Sequence, residues 1–434
     1  MDRTTAAKAI KTAFGAFIAA SALLIAYTVF STADSADFTP SAFLYLLGRV
    51  SGLVGFVLLS SLIISGDSAR YFDRYFGLDK IIKFHRWYSL VVAVFVIFHP
   101  VFIILSYWDL FDYIIPRASA IPLSLGILGF YAYLTVEISS RLAKMISYKS
   151  WQYLHILTYV LFFFTLYHAL FQGSDTMKPQ ILVLFFLLST AILIGIAYRT
   201  SYKLRQRAYK HVVRGVKWET KDTFTLELES SRNEAFIPGQ FYFLRIENKN
   251  LHARHPFSVT SVPSGKSLDF TIKLKGPFTK AASELKPGDE VKLEGPFGIF
   301  TLEDGHDDAV FLAFGVGITP FMSIIRDASL SGAKRKFILF YASRSPEDII
   351  FREKLASIKG DWLKQVILVS SGATAENGYL SGRLEAGLIK KHAGDIEHTD
   401  FYLCGSEEVK AFMKKTLGEL GARPHRIKNE EFFW

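Results

Sequence analysis

The chain reads as a multidomain membrane protein: a six-helix transmembrane bundle over residues 1–205, an antiparallel β-barrel over 206–303, and an α/β parallel-sheet domain over 304–434. Three observations predict this. Half of the 434 residues are hydrophobic, 39 Phe and 20 Tyr among them, and the mean hydropathy is +0.24, too apolar for an ordinary soluble enzyme. The long apolar runs all fall before about residue 200. Beyond them the pattern turns to short alternating strands, and then to strands alternating with helices.

The apolar runs lie at about 11–30, 42–65, 86–106, 121–139, 151–171 and 180–198, each near the roughly 20 residues that span a bilayer. The first is long and lacks a clear small-residue cleavage site before the second, so it is expected to be a retained span and not a signal peptide. Lys and Arg alternate between connections. The N-terminus (Arg3, Lys8, Lys11), the second connection (Arg70, Arg74, Lys80, Lys83), the fourth (Arg141, Lys144, Lys149) and the exit (Arg199, Lys203, Arg205, Arg207) are basic. The others carry only Arg117 and Lys178 against Asp34, Asp37, Asp112 and Asp175. This bias predicts a multi-pass protein of the cell membrane with both termini in the cytoplasm. It also accounts for most of the formal charge of +10. Basic residues spread along one membrane margin suit a lipid bilayer and argue against a nucleic-acid partner.

Four histidines stand out in the apolar half. His85 and His99 lie near the two ends of the third run, His155 and His168 near the two ends of the fifth, and no other histidine precedes His211. The members of each pair are roughly 20 Å apart along a helix axis. Two such helices side by side would offer one imidazole pair near each membrane face, the ligand set for two stacked bis-histidine haems. The alternative for any one of them is a polar residue lining the bundle interior or a proton path. Fourteen residues return His99 to within roughly 40° of His85, but thirteen leave His168 well off the face of His155. The fifth span is therefore expected to contain a local irregularity or a tilt. The single cysteine, Cys404, excludes an intrachain disulfide, a cysteine-ligated cluster and a cysteine zinc site.

In the second half, Thr223 to Leu228, Phe241 to Ile246, Ser267 to Leu274 and Glu290 to Leu293 read as barrel strands, separated by Pro238-Gly239 and Pro287-Gly288-Asp289. Val310 to Phe314, Phe337 to Tyr341, Val366 to Ser370 and Phe401 to Cys404 read as parallel strands, with a helix over Phe321 to Ser329. The barrel carries Pro238-Gly239-Gln240-Phe241, His255-Pro256-Phe257-Ser258-Val259-Thr260-Ser261, Gly276-Pro277-Phe278-Thr279 and Gly295-Pro296-Phe297-Gly298. The parallel domain carries Gly315-Val316-Gly317-Ile318-Thr319-Pro320 between a strand and a helix, where glycines allow close approach of a diphosphate and Pro320 suits a first helical turn. Pro stands where a full dinucleotide fingerprint has its last glycine.

With these motifs the chain resembles ferredoxin-NADP reductase flavoproteins, and with the six spans it resembles the NADPH oxidase and ferric reductase superfamily over nearly its whole length. The resemblance implies FAD, two b-type haems, and NADPH in preference to NADH. Phe257 and Ser258 would contact the isoalloxazine and His255, Gly276 and Thr279 the diphosphate, with Gln240, Pro256, Thr260 and Phe278 completing the flavin site. Gly315, Gly317, Thr319 and Pro320 would meet the nicotinamide dinucleotide. Ser343 and Arg344 would lie at the adenosine ribose, where a guanidinium can grip a 2′-phosphate; a solvated Arg is the alternative. Cys404-Gly405 matches the cysteine beside the nicotinamide, or is a buried structural cysteine. A terminal aromatic would cover the flavin, Phe432 matching best, with Phe433 and Trp434 also placed for it. Arg49, near the outer end of span two, would serve a haem propionate or an anionic oxygen species, unless it snorkels to the interface. The implied activity moves electrons from cytoplasmic NAD(P)H through FAD and both haems to an external acceptor. That acceptor is expected to be O2, giving superoxide; a ferric chelate or a periplasmic redox partner is the alternative. No oligomeric state follows from the sequence.

Overall fold

The structure is a computed structural model that describes residues 3–32, 39–143, 145–246, 253–263, 265–302, 308–332, 335–371 and 378–430. It divides into two compact units, Met1–Lys203 and Leu204–Trp434.

The first unit is built on six helices long and apolar enough to cross a membrane: α1 (Arg3–Phe30), α2 (Pro40–Asp67), α4 (Leu78–Tyr107), α5 (Ile121–Arg141), α6 (Tyr148–Gln172) and α7 (Pro179–Ala208). The chain is a multi-pass membrane protein. Each helix outruns its apolar segment, because closing every backbone hydrogen bond within the helix is what makes a span soluble in lipid, and the ladder continues into polar flanks. Helix starts are locally encoded. Thr39 caps α2 by accepting from the Ala42 amide at 3.2 Å, with Pro40 in the first turn, and Ser147 caps α6 by accepting from Ser150 at 3.0 Å. A short helix, α3 (Ala69–Phe76), follows α2. Its Arg70 and Arg74 were expected in a loop; instead Arg70 lies 3.8 Å over the Tyr202 ring and Arg74 4.1 Å over Tyr71.

α2 is the most buried span and packs along α4, while α5 packs along α6. Phe56 of α2 stacks on Phe162 of α6 at 5.7 Å and on Phe185 of α7 at 4.1 Å, tying the halves together at mid-depth. α4 and α6 themselves hardly meet backbone to backbone. α6 runs as continuous α-helix from end to end, so the thirteen-residue histidine spacing is accommodated without the local irregularity expected as one of two routes.

The second unit holds two sheets. The first is antiparallel in the order β4-β3-β6-β1-β2-β5, with β1 (His211–Thr220), β2 (Thr223–Ser230), β3 (Phe241–Ile246), β4 (His255–Ser258), β5 (Ser267–Lys273) and β6 (Glu290–Phe297). Its edge strands meet at the single Val259–Phe270 bridge, so the expected barrel is a curled sheet that does not close along a ladder. The second sheet is wholly parallel in the order β10-β9-β8-β7-β11-β12: β7 (Ala309–Phe314), β8 (Phe337–Ser343), β9 (Leu363–Val369), β10 (Leu380–Ser381), β11 (Asp400–Cys404) and β12 (Ile427–Asn429). α8 (Pro277–Ser283) falls between β5 and β6 in the chain and packs into the first sheet's core, and α9 (Thr319–Ser331) follows β7 and packs on the second. Ser323 of α9 donates to the Ser261 carbonyl at 2.7 Å and Arg326 to the Thr260 carbonyl at 3.0 Å, clasping the lobes together.

A buried charge braces the antiparallel sheet. Glu234, 1% exposed, accepts from His211 Nε2 at 3.2 Å, Ser230 Oγ at 2.7 Å and Arg232 Nε at 3.0 Å. Burial alone would raise its pKa, but these donors outweigh it and hold the carboxyl at about 2. A depressed carboxylate stabilises the fold above the ordinary carboxylate range, and that stability is lost as pH falls through about 2. Glu234→Gln should therefore cost about 2–4 kcal/mol at neutral pH, since donors are left facing a neutral amide. The loss should vanish in thermal melts taken near pH 2, where the native carboxyl is itself protonated.

Candidate functional site

Both histidine pairs assemble across α4 and α6. The rings of His99 and His168 lie 6.2 Å apart between centroids, and those of His85 and His155 6.4 Å apart. The tautomer is set for the first pair. His99 Nδ1 is 2.8 Å from the Gly48 carbonyl and His168 Nδ1 is 3.0 Å from the Pro122 carbonyl. A carbonyl only accepts, so both Nδ1 atoms carry hydrogen and both Nε2 atoms keep a free lone pair. At the other pair, Ser65 and Ser140 stand 3.5 Å from the Nδ1 atoms of His85 and His155, and Trp151 stacks on His155 at 5.0 Å.

The spacing fits a metal ion held on the axis between two imidazoles. Nitrogen–metal bonds of about 2.0–2.1 Å, plus roughly 1 Å from each nitrogen to its ring centre, put the centroids about 6 Å apart. The backbone makes room for this arrangement. A Cβ on Gly52 would stand 2.6 Å from His99 Nδ1, and one on Gly126 2.5 Å from His168 Nδ1. Among the described residues no group of three or more His, Cys, Asp or Glu side chains could hold a metal.

Arg49 is neither free nor snorkelling. Its Nε and Nη2 donate to both oxygens of Asp175, at 2.8 and 2.7 Å, and Lys178 shares that carboxylate at 2.9 Å. Asp175 is 2% exposed. At the other end of α2, Asp67, equally buried, accepts from Tyr159 at 2.6 Å and from Arg199 at 2.9 Å. Asp175 and Arg199 count in the sequence only as charges of the connections, and the one local signal for Asp67 is an acidic residue closing an apolar run.

In the antiparallel sheet, β3 and β4 pair so that Tyr242 faces Phe257 and Leu244 faces His255. His255 lies 4.1 Å from Phe278 and Phe257 stacks parallel to Phe278 at 6.1 Å, giving a half-exposed aromatic strip with Pro256 beside it. Burial lowers the His255 pKa, leaving a neutral ring at pH 7. Ser258 is buried with its hydroxyl unpartnered. Gly276 is open, with no atom within 4 Å of an added Cβ. Three expected contacts are committed within the protein. Gln240 donates to the Gly298 carbonyl at 3.1 Å, Thr260 to the Asp269 carbonyl at 3.1 Å, and Thr279 Oγ1 accepts the Lys275 and Gly276 amides at 2.8 and 3.1 Å.

In the parallel sheet the strand order reverses between β7 and β11, and the motif residues gather at their carboxyl ends, where such sheets bind ligands. Gly315–Ile318 forms a 3-10 turn leading into α9, with Pro320 in its first turn as expected. Gly317 is required by a different contact from the one expected. A Cβ there would collide with the Cys404 carbonyl, so it packs the turn against β11. Cys404 is fully buried, and burial, with the Glu430 carboxylate near, pushes its thiol pKa well up. Ser343 ends β8, and Arg344 beside it is exposed. Lys410, buried in the helix Glu407–Glu419, donates to the Glu430 carbonyl at 2.5 Å, holding the chain beside Leu403. Phe432, Phe433 and Trp434 lie outside the described residues.

Comparison with known proteins covers the same three regions. Residues 51–166 match a ferric reductase like transmembrane component, 210–299 an FAD-binding domain, and 311–415 an oxidoreductase NAD-binding domain. The reductase component of propane 2-monooxygenase from Mycolicibacterium smegmatis is 29% identical over 206 residues, 44% of this chain and 58% of that one. The ferredoxin–NAD(P)(+) reductase component of the naphthalene 1,2-dioxygenase system of Pseudomonas putida is 28% identical over 52% of this chain and 70% of its own. The chain thus spans little more than half the length of the first of these relatives. Among solved structures, a ferredoxin NADP+ reductase from Neisseria gonorrhoeae with bound FAD and NADP aligns with 24% identity and a TM-score of 0.46, over 52% of this chain and 98% of that one. Ferric reductase-like membrane component, FAD-binding domain and NAD-binding domain, joined in that order, are the architecture of the NADPH oxidase and ferric reductase superfamily, and this chain has it.

Proposed function

We propose that the chain is a transmembrane oxidoreductase of the cell membrane, taking electrons from cytoplasmic NAD(P)H and delivering them, by way of FAD and two b-type haems, to an acceptor on the other face. Oxygen is the acceptor and superoxide the product. The observation that carries this reading is the two imidazole pairs, at 6.2 and 6.4 Å, in a chain that also has a flavin and nicotinamide module. When bound, FAD takes up a hydride and releases electrons singly, and haem iron carries single electrons.

The protein's part is to hold and orient. His99 with His168 and His85 with His155 would each hold one haem, and the carbonyls of Gly48 and Pro122 fix the first pair's tautomers. Phe257 and Ser258 would contact the isoalloxazine, with Pro256 and Phe278 beside them and the Ser258 hydroxyl as a donor, and His255 and Gly276 would lie at the diphosphate, on a loop that the Thr279 hydroxyl shapes through the Lys275 and Gly276 amides. Gly315, Thr319, Pro320 and the start of α9 receive the nicotinamide dinucleotide, and Cys404 and Gly405 floor the nicotinamide. The buried Cys404 stays a neutral thiol there. The Lys and Arg bias sets the orientation, with His85 and His155 at the cytoplasmic leaflet. Arg49 and Lys178 against Asp175 leave one surplus positive charge, which favours developing superoxide.

A second reading, ferric-chelate reduction, draws on the match of residues 51–166 to a ferric reductase like component. The acceptor assay separates the two. NADPH should drive dismutase-sensitive reduction of an external dye, diminished in Arg49→Ala when turnover is compared per bound haem; faster anaerobic turnover with a ferric chelate than aerobic oxygen consumption would replace the oxidase assignment.

His99→Ala or His168→Ala should remove one of two haems per chain while NADPH still reduces the flavin, read by pyridine haemochrome and flavin absorbance. Unchanged haem content in all four His→Ala variants would overturn the proposal. Arg344→Ala should weaken NADPH roughly tenfold to a hundredfold with little effect on NADH, because a charge-assisted contact to the 2′-phosphate contributes about 1.5–3 kcal/mol. Equal losses for both nucleotides would show that Arg344 does not read that phosphate.

A further inference from the structure

We infer that α2 is the strut that sets the spacing of α4 from α6, and so of the two imidazoles within each pair, through one buried polar clamp near each end. Arg49–Asp175 positions His99 and His168, and Asp67 with Tyr159 and Arg199 positions His85 and His155. The inference rests on the two-haem reading. It starts from a mechanical problem: α4 and α6 carry the ligands yet hardly touch, so their spacing must be imposed from outside. α2 is the helix that packs on both.

The same short pattern occurs at both ends of α2. Near one end, Gly48 accepts the His99 Nδ1 hydrogen, Gly52 gives that ring its space, and Arg49, next in sequence to Gly48, reaches Asp175 just beyond the end of α6. Near the other end, Ser65 faces His85 Nδ1 at 3.5 Å and Gly66 lies beneath that ring. Asp67, next in sequence to Gly66, reaches Tyr159, one helical turn after His155, and Arg199 on α7. Each clamp thus joins α2, next in sequence to a glycine against an α4 histidine, to a residue that follows the α6 partner in the chain: Tyr159 after His155, and Asp175 after His168. The polarity is reversed, with the cation on α2 at one end and the anion at the other. Both carboxylates are 2% exposed, so the anion of each clamp is shielded from competing water, while Arg199 approaches Asp67 from a side chain that is itself 43% exposed. Arg49, Asp175, Asp67, Tyr159 and Arg199 are positioning residues in this role, acting on the imidazoles through α2 and α6.

The test uses full-length protein, purified with haem and examined by low-spin electron paramagnetic resonance and by haem retention during dilution in detergent. His99→Ala and His85→Ala assign the two signals. Asp175→Asn should shift the signal of the His99–His168 site and weaken haem retention there roughly tenfold to a hundredfold, leaving the other signal in place. Asp67→Asn should do the reverse. A single substitution strands a buried charge and can impair folding, so the neutral doubles Arg49→Gln/Asp175→Asn and Asp67→Asn/Arg199→Gln are made alongside. They should show the same site-selective shifts. Two haems in the wild type with signals unmoved in the doubles, or moved equally at both sites by either clamp, would overturn the strut. A wild type holding fewer than two haems would instead overturn the two-haem reading itself.

Discussion

The membrane half depends on two helices that face each other through imidazoles and little else. α4 and α6 each lean on a different neighbour, α2 and α5, and the neighbours bring small residues to the points of contact. Gly52 and Gly126 let each ring lie close against a backbone, and the carbonyls of Gly48 and Pro122 then choose which nitrogen keeps its hydrogen. A larger residue at either glycine would displace the ring that the facing helix has to meet. The geometry of the site is therefore decided by residues that carry no reactive group.

The second unit solves a related problem with backbone instead of side chains. The Gly315–Ile318 turn and the end of β11 must share one crevice, and the absence of a Cβ at Gly317 lets them approach to contact. The clasp from Ser323 and Arg326 to the Ser261 and Thr260 carbonyls then fixes the two lobes against each other, next to the strand that carries His255 to Ser258. Thr260 lies on the motif because its backbone and hydroxyl anchor the fold, while the half-exposed residues before it remain available to a ligand.

Much of this was legible in the sequence, and the exceptions share a physical cause. Six spans could be read because an unbroken run of about twenty apolar residues suits little besides the interior of a bilayer, and the histidine pairs because polar residues in lipid are rare. β1 and β4 escaped notice because His211–Thr220 and His255–Ser258 carry mixed polar residues that only their partners' register explains. The antiparallel barrel was legible as a set of strands, but not the single Val259–Phe270 bridge at which its edges meet, because alternation reports strands whereas closure depends on how two edges meet. The partners of Arg49 and Asp67 lie 126 and 132 positions further along, beyond any local pattern. Gly317 was assigned to phosphate approach because motif and packing make the same demand on a glycine.

Those long separations bear on how the protein is made. Arg49 and Asp67 stand roughly 27 Å apart along α2, near the two borders of the hydrocarbon layer. The helix can therefore enter the membrane with both charges at its margins, well before Asp175 and Arg199 have been synthesised. At about 5–20 residues per second, those charges wait on the order of ten seconds for their counterparts. Until then α2 is held by its packing on α4 and a few hydrogen bonds, His99–Gly48 and Ser61–Tyr88 among them, and the nascent bundle can still rearrange. The arrival of α6 and α7 converts that loose assembly into a fixed one, so the last spans to be translated act as the latch on the first.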